Sequence, residues 1–377
     1  GMCGFGVWGL VFRGPAFGSE LERSCRALFS DRAGKMAALL ALLLLPLAGA
    51  VKVSLLSNTT KPFPWEFTAP LQLHQRPVVK KACPHCCFHG EKEVDCLDVE
   101  QCAANGPSHG KYALVMSWFG RPKDGMFPYI QSMKAAAQLA GNADLVMVMM
   151  KADSKHLTSN QKEIFKNHSV KLMEVDWDTP PKMKGYKEGG WCGHQDFIRL
   201  HVLGMEGYDA VAYYDTDIEF QGDITPVLKC AASGKFLSTN GGVGEPLNVG
   251  FFALKPDKRL FQASLNFALE ADFSHEHNWG NMGWKPAGGY FIGGECGQGF
   301  WYALFYKSGG LAQKALESAG LTSVDAAQID RCIWNYQTSF QCAKDLDCSH
   351  VRVHHKPTRH TNGPEECQKL RFQKAKK

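Results

Sequence analysis

The chain has 377 residues, of which 45% are hydrophobic and 21% charged, and a formal net charge of +5. Such values describe a globular protein with a sizeable core. They exclude a disordered chain and give no nucleic-acid signature, so nucleic acid is not expected as a partner.

Residues 36–50, "MAALLALLLLPLAGA", form the one strongly apolar run. The run falls short of the roughly 20 apolar residues that a membrane-spanning helix needs, and Pro46 interrupts it. It ends in Ala48-Gly49-Ala50, the small-x-small pattern of a signal-peptidase site. Residues 1–50 are therefore expected to be a leader, with 1–35 lying upstream of Met36. The leader would direct the chain to the ER or Golgi lumen, or out of the cell, and only an uncleaved leader would attach it to a membrane. Fourteen cysteines are present; twelve follow position 50, an even number that suits disulfides in an oxidising compartment. Asn58-Thr59-Thr60 and Asn167-His168-Ser169 match the glycosylation acceptor pattern.

Residues 51–110 are rich in Pro, Lys and Cys, and "CPHCCFHGEKEVDCLDVEQC" (83–102) holds five cysteines. A zinc site could draw on Cys83, Cys86, Cys96 and Cys102. In an exported chain a small disulfide-stapled lobe or stem is the expectation, with the pairing left open.

From residue 111 the texture changes. "YALVMSWFG" (112–120) reads as a buried strand and "MFPYIQSMKAAAQLA" (126–140) as a helix. "ADLVMVMM" (143–150) is an uninterrupted apolar run, as in a strand covered on both faces. A helix over 158–168, a strand over 170–176, a helix over 194–205 and a strand over 209–215 follow. Strands alternating with helices predict an α/β fold with a mostly parallel sheet flanked by helices, here over residues 111–360, with 361–377 a solvated basic tail.

The fourth strand runs into Asp215-Thr216-Asp217. Open α/β sheets bind ligands at the carboxyl ends of their strands. One reading of the pair is a turn. A second is a phosphotransferase nucleophile, but Glu219 stands where that signature has Thr or Val, and such a pair follows the first strand. A third is a divalent-metal bridge to a nucleotide diphosphate, since two carboxylates supply hard oxygen ligands. The third predicts further parts downstream, and "LNVGFFALKPD" (247–257), "GGECGQGFWYALFY" (293–306) and "CSHVRVHHKP" (348–357) follow in order.

Together, "YDAVAYYDTDIEFQGDITPVL" (208–228), "NVGFFALKP" and "HVRVHHKP" resemble the Asp-x-Asp, Asn-x-Gly and closing His/Lys-Pro segments of glycosyltransferase family 8, the glycogenin-like enzymes. The resemblance covers about two-thirds of the chain. It implies a GT-A fold, a UDP-sugar donor, Mn²⁺ or Mg²⁺, and retention of anomeric configuration. The acceptor would be a glycan, a glycoprotein or a small molecule.

By the same resemblance Asp215 and Asp217 hold the metal. The third ligand is His354, at the end of "VRV" where His354 and His355 follow, or His350, six residues before Lys356. Thr216, Arg199 and Lys356 would bind the donor. Asn248 would reach the sugar or acceptor, and Gly250 allows close approach. Gln298 would lie beside the anomeric carbon. Gly297 stands where the family has Asp, so Glu295 is the expected substitute. That departure also supports the alternative of an inactive transferase fold serving as a binding or scaffold protein in the secretory pathway. A nucleotidyltransferase is disfavoured, because no Gly-x-Gly-Thr-Arg follows the first strand. The loop "HEHNWGNMGWKPAGGYF" (275–291) is expected either to carry Trp279 and Trp284 toward an acceptor or to anchor them in the core.

Overall fold

Apolar runs buried on both faces dictate the centre of the structure. It is a computed structural model describing residues 9–11, 54–56, 86–178, 180–184, 194–241, 245–274, 277–285, 289, 291, 293–307, 309–337, 342 and 346–355. The apolar run 36–50, the tail 361–377 and Lys356 lie outside the described residues. The chain divides into two units, 1–72 and 73–377. In the first, Gly9–Val11 pairs antiparallel with Ser54–Leu56. The rest concerns the second.

That unit opens with a hairpin, β1 (Cys86–His89) and β2 (Lys92–Asp95), and helix α1 (Val99–Ala104). Cys87 and Cys96 are bonded across the hairpin, and Cys102 is bonded to Cys230, 128 residues away. With Cys96 and Cys102 so engaged, the four-cysteine zinc set is not formed.

Next come β3 (Tyr112–Trp118), α2 (Phe127–Gln138), β4 (Asp144–Met150), α3 (Ser159–Asn167) and β5 (Val170–Val175). The first turn of α3 is closed by a capping box: Thr158 accepts from the Gln161 N–H, and Gln161 reciprocates. After His194–Gly204 follow β6 (Ala210–Tyr214), β7 (Ile218–Phe220), α4 (Thr225–Ala232), β8 (Phe236–Thr239), β9 (Asn248–Leu254) and α5 (Lys258–Glu270). The unit closes with α6 (Gly297–Trp301), α7 (Gly310–Ser318), β10 (Ala326–Gln328), α8 (Arg331–Trp334) and β11 (Val353–His355).

Seven strands form one sheet in the order β10-β8-β9-β6-β3-β4-β5. Every neighbouring pair is parallel except the two made by β9. Two cores cover its faces. Along β3, Ala113 and Val115 enter one and Leu114 and Met116 the other, the period-two alternation of a strand with no solvent face. Helices α2, α3 and α4 supply the second core, while α5, α6 and His194–Gly204 supply the first.

The helix expected over 194–205 is a 3-10 helix, His194–Gly204. With three residues per turn, side chains three apart eclipse. Phe197, Leu200 and Leu203 therefore form one buried row, and Asp196 stands directly under Arg199.

The tryptophans of the 275–291 loop follow the core reading, not the acceptor one. Trp279 and Trp284 are core residues, and the Trp279 indole N–H donates to the Gly294 carbonyl at 2.9 Å. Trp279 packs edge-on against Phe197 and Phe300. Among the described residues no helix is long and apolar enough to cross a membrane.

Candidate metal-binding active site

The chain enters the sheet at β3, builds outward through β4 and β5, then returns to β3's other side with β6. The β3/β6 boundary is thus the point where strand order reverses, and at such a point the loops after two adjacent parallel strands part to leave a crevice. A cavity of about 590 Å³ occupies it. Ser117, Trp118 and Phe119 line it from the end of β3, and Asp215, Thr216 and Asp217 from the end of β6.

One carboxylate oxygen each from Asp215 and Asp217 and one ring nitrogen of His355 lie within 4.8 Å of one another. Strand pairing brings the histidine there. β7 begins directly after Asp217, and β11 runs antiparallel to it with His355 opposite Ile218. Alternation then decides which histidine faces the cavity. His354 turns the other way, into the core against the Tyr336 ring. His350 is exposed and sits 3.8 Å from Asp347. The structure therefore places His355, not His354 or His350, with the two aspartates.

The ring of His355 is held by a chain of amide groups. The backbone N–H of Gly250 donates to Asn248 Oδ1 at 3.0 Å. That oxygen also accepts from Asn335 Nδ2 at 3.0 Å, which turns Asn335 Oδ1 toward His355. His355 Nδ1 lies 2.8 Å from Asn335 Oδ1 and 3.0 Å from Gln337 Nε2. Nε2 is thereby turned to Asp217 Oδ1, 3.4 Å away. A cation placed between the two would draw on both. The donor set, two carboxylate oxygens and an imidazole nitrogen, suits Mn²⁺ or Mg²⁺.

Gly250 fits the same scheme. A Cβ there would come 2.4 Å from His355 Cε1, so the absent side chain makes room for the histidine ring.

Arg199 is buried beneath the aspartates. Its Nη2 pairs with Asp196 Oδ1 and lies 3.4 Å from Asp215 Oδ1, its Nη1 donates to the Val249 carbonyl at 3.1 Å, and its Nε to the Asp196 carbonyl at 3.1 Å. The guanidinium also lies over the Tyr213 ring, whose hydroxyl donates to Asp215 Oδ1 at 3.0 Å. Burial would lower the Arg199 pKa, but Asp196, Asp215 and Tyr213 outweigh it and raise it. Burial pushes the Asp215 carboxyl up; Arg199 and His355 oppose the rise, and Asp196 and Asp217 add to it. Two carboxylates, Asp196 and Asp215, share one guanidinium and Asp217 adds a third beside Asp215, an excess of negative charge that a divalent cation would offset.

Of the other expected residues, Thr216, Asn248 and Gln298 line the cavity and Glu295 does not. The structure adds Asp196, Asn335, Gln337 and His355 to the neighbourhood. Asp196 carried no sequence signal beyond lying three residues before Arg199. Asn335 and Gln337 carried none.

No protein-family model matches the chain. No curated protein matches it either. Among solved structures, it is similar to the galactosyltransferase LgtC in complex with donor and acceptor sugar analogs. There the identity is 13%, over 69% of this chain and 95% of that one, with a TM-score of 0.39. It is also similar to the apo-form glycosyltransferase GlyE of Streptococcus pneumoniae TIGR4, at 13% identity over 70% and 61% of the two chains and a TM-score of 0.37. A third is mouse xyloside xylosyltransferase 1 in its apo form, at 14% identity over 65% and 97% and a TM-score of 0.34.

Proposed function

We propose that the chain is a glycosyltransferase of GT-A type, akin to glycosyltransferase family 8. It would move a hexose or pentose from a UDP-sugar to an acceptor hydroxyl, with a divalent metal and with retention of configuration. The observation that carries this reading is the cluster of Asp215, Asp217 and His355 at the strand-order reversal, with His355 Nε2 facing the Asp217 carboxylate at 3.4 Å.

These three side chains would hold Mn²⁺ or Mg²⁺. When bound, the ion supplies charge stabilisation for a departing diphosphate. The chain's residues do the rest. Asp215 is fixed from below by Arg199 and Tyr213, so its position does not depend on a ligand. Asn248 and Gln298, both on the cavity wall, offer amide groups to the sugar and the incoming hydroxyl. Such preorganised polar groups, already paid for by folding, need no rearrangement during reaction. Lys356 follows His355 directly in sequence and would reach the donor phosphates. The disulfides accord with a luminal or secreted site of action.

The test is a thermal-shift screen of residues 51–377 with UDP, GDP, CDP and ADP, each with Mn²⁺ or EDTA, repeated on Asp217→Ala. A stabilisation by UDP that needs Mn²⁺ and disappears in the variant is expected. No shift with any nucleotide in a folded sample would return the fold to the inactive binding or scaffold reading.

A further inference from the structure

A side chain at position 297 and the Asp196 carboxylate would compete for one place next to the cavity wall. Asp196 is 7% exposed and borders the cavity beside Gln298. Its Oδ2 accepts the backbone N–H of Gly297 at 3.0 Å, across 101 residues of sequence. A Cβ at 297 would sit 2.9 Å from that same oxygen, with Arg199 Cδ and Nε next, at 3.7 and 3.9 Å. The glycine is therefore what lets the Asp196 carboxylate reach the wall. Once there, the carboxylate is doubly anchored, by Gly297 on one oxygen and Arg199 on the other.

A carboxylate can accept about four hydrogen bonds. The two anchors use one acceptor position on each oxygen of a side chain that lines the cavity. Asp215 and Asp217 are committed to the metal in the proposed reading, whereas Asp196 is not. It stands next to Gln298 on the wall expected to receive the sugar. Sugar hydroxyls are donors that a fixed carboxylate acceptor binds well, and a buried acceptor left without its donor is costly.

We propose that Asp196 is a sugar-binding residue of the donor site. It accepts a hydroxyl of the transferred sugar, and it does so from the 3-10 helix because position 297 has no side chain. The inference rests on the transferase reading. It makes a specific claim about interchange: a carboxylate placed at 297 should do the same work once that of Asp196 is removed.

The experiment measures release of UDP from UDP-glucose, UDP-galactose and UDP-xylose with Mn²⁺, together with calorimetric binding of UDP–Mn²⁺. Asp196→Ala, Asp196→Asn, Gly297→Asp and Asp196→Ala/Gly297→Asp are compared with the parent. Each single variant should lose about tenfold or more in kcat/KM for the donor, while UDP–Mn²⁺ affinity changes by about twofold or less. The double variant should recover most of the loss, because Asp at 297 then meets Arg199 without the competing carboxylate. A purely structural role for Asp196 as a cap on Gly297 predicts no such recovery. Asp196→Asn keeps the side-chain size, so it answers the question if Asp196→Ala is unfolded. Parent-like turnover in Asp196→Asn, or a double variant no better than the singles, overturns this proposal alone. A parent chain that binds no UDP with Mn²⁺ overturns the transferase reading, and this proposal with it.

Discussion

His355 Nδ1 lies 2.8 Å from Asn335 Oδ1, and this contact turns the other ring nitrogen toward Asp217, 3.4 Å away. Asn335 is held in turn by Asn248, whose Oδ1 also accepts the backbone N–H of Gly250. A histidine that ligates a metal is oriented by a partner on its other nitrogen. Here Asn335, backed by Asn248, stands in that place.

Asn335→Leu removes the lock with little change in volume. Mn²⁺ affinity, followed by calorimetry or by electron paramagnetic resonance of free Mn²⁺, should fall about 10- to 100-fold. Unchanged affinity would show that the ring is oriented by something else.

Gly250→Ala acts on the same ring by bulk. The added Cβ overlaps His355 Cε1 in a buried strand, where overpacking costs about 1–3 kcal/mol. Loss of Mn²⁺ binding together with a lower urea midpoint is expected. Full Mn²⁺ binding would mean that the ring is free to retreat.

Asp217 should be a stability liability without metal. Its side chain is 43% exposed and adds to the repulsion felt by Asp215. In EDTA, Asp217→Ala should melt at or above the parent temperature. With Mn²⁺ the parent should gain stability and the variant should not. A variant clearly less stable than the parent in EDTA would assign Asp217 a structural role instead.

His201 gives the fold an acid limb. Burial lowers its pKa, with a weaker opposing pull from Asp176, and it packs against Phe261. The unfolded side chain titrates near about 6.5. Below that pH the unfolded chain takes up a proton that the folded chain resists, so stability falls as pH drops from about 6.5 toward the lowered folded value. His201→Phe should reduce the difference in urea midpoint between pH 7.5 and pH 5.5. An equal difference in both proteins would remove His201 as a source of acid sensitivity.

The Cys102–Cys230 bond ties α1 to α4 and closes a long loop. Removing such a link from the unfolded state costs about 4–5 kcal/mol in the chain-entropy description. Cys102→Ser/Cys230→Ser should lower the unfolding free energy by an amount of that order. A change below about 1 kcal/mol would show that the packing of α1 on α4 does not depend on the bond.

The strands of the sheet were legible because their apolar runs are too short for a helix and end abruptly in polar or glycine residues, which settles what periodicity alone leaves open. "ADLVMVMM" and "DAVAYYD" declare themselves locally, and the aspartates after the second stand at a strand end whatever the rest does. The sequence by itself thus determined the α/β class, the order of elements and the position of Asp215 and Asp217. Only tertiary structure decided that His355 rather than His354 meets them, since both lie in one three-residue strand and its pairing with β7 selects the face. It alone brought Asp196 to Gly297, and it buried Trp279 and Trp284. Local periodicity reports which side chains leave water. It does not report which distant segment they meet there, because that depends on strand pairing and packing between residues a hundred positions apart.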